Sequence, residues 1–152
     1  MTADQRIHEL IIRSRLSALW VFVLINMLLQ DLHELFRAGQ LEEMISGVVN
    51  GMRVTEELLL VAGIVLEVPI AMVVLSLVLT RRVARWAHTV ASVLLVGAII
   101  SGGVRDLDDY FFTAMKIIGL AAIVWCSWRW LAPEGGQAPP TKRPAAAEHS
   151  ET

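Results

Sequence analysis

Residues 58–79 read LLLVAGIVLEVPIAMVVLSLVL, and Glu67 and Ser76 are the only polar side chains among them. A helix rises about 1.5 Å per residue, so roughly 20 apolar residues cross the hydrocarbon of a bilayer. This run has that length. Two further stretches match it, Ala84–Val104 and Tyr110–Leu131. A fourth, Leu16–Leu29, is shorter and spans only if its helix continues through Gln30 to Phe36. Helical spacing supports the continuation, because Leu28, Leu32, Leu35 and Phe36 fall on one face and Asn26, Gln30, His33 and Arg37 on the opposite one. The half-polar end of this span is expected to face protein rather than lipid.

Composition agrees with four membrane crossings. The 152 residues are 55% hydrophobic and 18% charged, with mean hydropathy +0.58. A soluble domain carries about 25% charged residues. The net charge of −2 argues against a nucleic-acid partner, which requires a basic surface. A single cysteine, Cys126, excludes an internal disulfide, a paired-cysteine redox site and an all-thiolate metal centre.

Basic residues set the expected orientation. Arg6, Arg13 and Arg15 precede the first span, Arg81, Arg82 and Arg85 lie between the second and third, and Arg129, Lys142 and Arg143 close or follow the fourth. The alternate connections hold only Arg37, Arg53 and Arg105, together with Asp31, Glu34, Glu42, Glu43, Glu56, Glu57, Asp106, Asp108 and Asp109. Lysine and arginine concentrate on the cytoplasmic side of membrane proteins, which predicts both termini inside. Trp20, Trp86, Trp128 and Trp130 fall near the expected inner boundary and Phe36, Tyr110, Phe111 and Phe112 near the outer one, the levels that amphipathic rings prefer. A cleaved signal peptide is not expected, since Gln30 to Glu34 stands where a small-residue cleavage site would be.

The fold expected is therefore all-α, a four-transmembrane-helix bundle with a short amphipathic interfacial helix between spans one and two. That extra helix is read from Leu41, Met44, Ile45, Val48, Val49 and Met52, which share one stripe, with Asn50-Gly51 as its end. It suits a membrane-surface element or a lid over the outer face. Thr55 is the expected N-cap of span two, and Asp108 or Asp109 that of span four. Residues 1–15 form a cytoplasmic segment, 16–131 the membrane domain, and the Pro-Gly-Ala-rich residues 132–152 a disordered cytoplasmic tail.

Polar groups deep in a span are costly and mark candidate sites. Glu67 lies ten residues after Glu57, about 15 Å below the outer boundary. Nearby Pro69 leaves the carbonyl of Val65 without its helical donor. Lys116 lies about 10 Å below the outer surface, and its stem can extend either way. Asn26 is near the depth of Glu67, and Gln30 near that of Lys116. These four residues form the candidate intramembrane site, with Glu67 either paired to Lys116 or acting as a protonatable acid. The structural alternative is that they bond to one another and fix helix register. Asp31, His33 and Glu34 are secondary candidates at the outer face. His88, beside Arg85 and Trp86, reads as an interfacial histidine.

The sequence lacks the signatures of several other chemistries. His33 and His88 lie at opposite depths, which disfavours a bis-histidine haem. His33-Glu34 lacks the second histidine of a zinc-protease helix, and no nucleophile elbow or phosphate-binding loop occurs. No metal, no cofactor and no enzymatic activity are expected.

The run Leu16 to Met27 with Asp31 to Phe36, and Thr55 to Leu60 leading to Leu66-Glu67-Val68-Pro69-Ile70-Ala71-Met72, resembles a family of short bacterial four-span integral membrane proteins catalogued as a domain of unknown function. The resemblance covers Leu16 to Leu131 and implies a bacterial inner membrane, without an activity or a site. Small multidrug transporters also have four spans and one embedded glutamate, but theirs is in the first span and Glu67 is in the second. Two functions stand out: a proton- or ion-coupled transporter or channel-like protein, expected as a homo-oligomer in the lipid bilayer, and a non-catalytic membrane subunit or scaffold.

Overall fold

A computed structural model describes residues 3–49, 52–103 and 107–130. Its order is α1 (Ala3–Leu35), α2 (Gln40–Ile45), β1 (Val48–Val49), β2 (Met52–Arg53), α3 (Glu56–Val78), α4 (Arg81–Gly102) and α5 (Leu107–Arg129). Helices α1, α3, α4 and α5 are each long and apolar enough to cross a membrane. They form an all-α bundle in which α1 packs against α3 and α5, and α4 closes the ring by packing against the same two.

Local chemistry explains the ends of these elements. Thr55 is extended and its Oγ1 accepts the Leu58 N–H at 3.2 Å, while Glu56 and Glu57 sit at the positive end of the α3 dipole. Only Leu79 and Thr80 separate α3 from α4, which forces the two antiparallel. At the close of α5, Arg85 donates from Nε to the Ser127 carbonyl (3.2 Å) and from Nη2 to the Trp130 carbonyl (2.8 Å), satisfying acceptors that the helix leaves open. Helix α3 runs through Pro69 without interruption.

Two local expectations need correction. The interfacial helix is six residues long, not a stripe reaching Met52. Gly47 adopts φ +75, a left-handed conformation that stops the helix, and the β-branched Val48 and Val49 pair antiparallel with Arg53 and Met52. Asn50-Gly51 lies outside the described residues. Asp108 and Asp109 are inside the first turn of α5 rather than at its cap. Helix α1 starts at Ala3, so the segment before Leu16 continues the first span as a helix. The tail expected over 132–152 is outside the described residues.

The core forms along the inward stripes. Leu16, Trp20 and Val23 of α1, Met72 of α3, Ala84, Ala91 and Leu95 of α4, and Leu120 and Ile123 of α5 make one cluster. Contact between α1 and α5 is close: a Cβ on Gly119 would meet Val23 Cγ2 at 2.8 Å and Phe22 Cδ1 at 3.1 Å. Only glycine permits that approach. Of the tryptophans expected at the inner boundary, Trp86 and Trp128 are exposed, whereas Trp20 and Trp130 are buried in the core. Their size lets them fill space between helices that leave room for large side chains.

Candidate functional site

Two sides of the bundle are useful landmarks: the α2 side, and the terminal side where α1 starts and α5 ends. The polar face of α1 turns inward near the α2 side. Asn26 is buried and Gln30 is half-buried, while Leu28, Leu32, Leu35 and Phe36 on the opposite face are exposed. The inward stripe of α5 meets it with Asp109, Phe112 and Lys116, spaced three and four residues apart.

Lys116 is 6% exposed. Its stem runs towards the α2 side, and Nζ donates to Gln30 Oε1. Gln30 passes the connection on, donating from Nε2 to Asp109 Oδ1 at 3.1 Å. Asp109 is 4% exposed and lies 4.0 Å from Arg37 Nη2, which also faces Asp108 at 3.5 Å. The half-exposed guanidinium thus begins a line that runs through a carboxylate and an amide to a buried ammonium. Asp31 and Glu34 add negative charge to the field at Lys116. A charge in such a place needs this company, because burial without partners is strongly unfavourable.

The remaining candidates separate from this line. Glu67 is exposed on the side of α3 turned away from the bundle, with no hydrogen bond or ion pair to another described residue. It does not meet Lys116. Asn26 donates from Nδ2 to the Phe22 carbonyl of its own helix at 2.8 Å. His33 Nδ1 bonds the Leu29 carbonyl at 3.0 Å, and its ring lies 5.1 Å from that of Phe112. Asp31 is exposed and Glu34 half-buried. Among the described residues no group of three or more His, Cys, Asp or Glu side chains is placed to hold a metal ion.

His88 is a correction. It is fully buried, not interfacial, and its Nδ1 accepts the Trp20 indole N–H at 2.9 Å. Because indole only donates, Nδ1 carries no proton and the neutral ring holds its proton on Nε2. This bond crosses the bundle from α1 to α4. Among the described residues, His88 Nε2 and Ser92 Oγ are buried without a partner, as is Gln40 Nε2. His88 and Ser92 are one helical turn apart on the inward face of α4. That spacing, i to i+4, is the sequence signal that could have placed both in the core together.

A family model described as "Family of unknown function (DUF6326)" matches residues 7–133. The chain belongs to this family. No curated protein and no solved structure matches it. The four spans and the family are thus consistent with the fold read from sequence, while the chemistry of the chain has to be argued from its own side chains.

Proposed function

We propose that this chain is a small proton- or ion-coupled membrane transport protein whose working group is Lys116. The supporting observation is the unbroken line from Arg37 through Asp109 and Gln30 to Lys116. Ionisable groups inside a membrane bundle are expensive, and those with a path to the surface commonly carry ions or protons. Gln30 suits a bridge between the two charged groups because its amide accepts from Lys116 and donates to Asp109 at the same time. On the terminal side, His88 and Ser92 supply unpartnered polar atoms that extend the polar content of the core. Glu67, the acid most conspicuous in the sequence, has no part in this line.

A second reading has its own support. The close approach at Gly119 shows that α1 and α5 are held tightly, so the same bonds suit a clamp in a non-catalytic membrane subunit. Reconstitution separates the two. With a pH-sensitive dye inside liposomes and an imposed potential, the wild type is expected to move protons well above empty liposomes. Lys116→Gln is expected to lower that flux at least about tenfold while remaining folded, and Glu67→Gln to leave it unchanged. Flux in the wild type no greater than in empty liposomes, or full flux in folded Lys116→Gln, would defeat the transport reading and leave the clamp.

A further inference from the structure

Glu67 lies eleven residues into a 23-residue apolar helix, about 16 Å from its start and close to the middle of the span. Helix α3 gives its other side to the bundle, burying Pro69, Met72 and Ser76. The stripe through Glu67 points away. Leu60 and Val74, seven residues to either side, are 65% and 59% exposed, and Val78 is 70% exposed. Gly63, one turn before Glu67, has open space where a Cβ would stand. Among the described residues nothing hydrogen-bonds this carboxyl group, and at such a depth membranes penalise a polar group without a partner. Something polar must therefore meet it from outside the bundle.

We propose that the outward face of α3 is a contact between two copies of this chain, with the two Glu67 carboxyl groups bonded to each other. Symmetry selects this occupant. An axis along the membrane normal places the same residue of both copies at the same depth, without requiring a second sequence that carries a polar group at mid-span. A carboxyl group that holds its proton is also self-complementary, since it presents one O–H donor and one acceptor oxygen. Two of them, or one with a carboxylate, satisfy each other. Gly63 admits the close backbone approach that such a bond between helices needs. The rest of the stripe is apolar and packs without further demands. This contact is independent of the transport proposal, and its test uses no flux.

The test uses the full chain in phospholipid bilayers, with Cys126→Ser removing the native thiol. Leu60→Cys and Val74→Cys place a thiol on the stripe; Val93→Cys and Ile118→Cys, exposed on α4 and α5, serve as controls. Mild oxidation is expected to give dimers from the first pair and few from the second. By fluorescence energy transfer between labelled copies, Glu67→Leu is expected to weaken association roughly 3- to 30-fold, a range typical of polar contacts between membrane helices. Glu67→Gln, whose amide also donates and accepts, is expected to stay within about threefold of wild type. Equal cross-linking at the control positions would overturn the proposal. So would association of Glu67→Leu as tight as wild type, or a chain that remains monomeric as the protein-to-lipid ratio rises.

Discussion

The α1–α5 interface and the outward side of α3 each carry an ionisable group well inside a membrane span, and they treat it in opposite ways. Lys116 is buried against protein and bonded to Gln30, with Asp109 and Arg37 beyond. Glu67 is presented to the outside. In water the first would be the costly arrangement and the second the ordinary one. In a bilayer the costs reverse, because the protein interior offers hydrogen bonds and the surroundings do not. An outward-facing carboxyl group therefore says more about what lies next to the bundle than about the bundle itself.

That contrast can be broken by substitution. The largest effect is expected from Asp109→Ala, which leaves Gln30 Nε2 without its acceptor and Lys116 with only Asp31 and Glu34 in its field; breaking a buried charged contact from one side costs about 3 kcal/mol. Denaturant titration of the purified protein in detergent should show the loss, and an unchanged midpoint would mean that the line contributes nothing to the fold. Next comes Gly119→Val. Its Cβ would stand 2.8 Å from Val23 Cγ2, and overpacking of this kind costs about 2 kcal/mol. Thermal unfolding should shift down, with the expected partial rescue from Val23→Ala identifying the clash as the cause. The smallest effect belongs to Glu67→Leu, expected to change the stability of the isolated chain by less than about 0.5 kcal/mol. Measurement in dilute detergent, where copies do not meet, keeps this value separate from association. A large loss there would erase the difference between the two regions.

These regions also differ in how far the sequence discloses them. The four spans follow from run length, and the Thr55 cap from a hydroxyl residue placed before two glutamates, so both were readable. The end of α1 near Gln30 has a polar face and an apolar face, so the direction it turns is written in its spacing. Gln30 and Lys116 could be put together for that reason. Beyond its first turn helix α3 is apolar on every side except at Glu67 and Ser76, which lie on opposite faces, and such a pattern gives depth but no direction. Pairing Glu67 with Lys116 takes an acid in a membrane to turn inward, whereas the side of α3 that packs is the one carrying Pro69, Met72 and Ser76. His88 shows the converse. Neighbouring Arg85 and Trp86 suggest an interface, but the bond from Trp20 comes from another helix and leaves no trace in local spacing. Periodicity extends the helix of the first connection too far because Val48 and Val49 continue its stripe, and it does not register that Gly47 leaves the helical region.

The reach of α1 has a mechanical consequence. At 33 residues it is about 50 Å long, against about 34 Å for the 23 residues of α5. Near its start, Arg13 Nη1 grips the Leu77 carbonyl at 2.6 Å, and near its finish Gln30 holds Lys116. One continuous helix thus carries both contacts, 17 residues and about 26 Å apart, so α1 is fixed against α3 at one level and against α5 at the other.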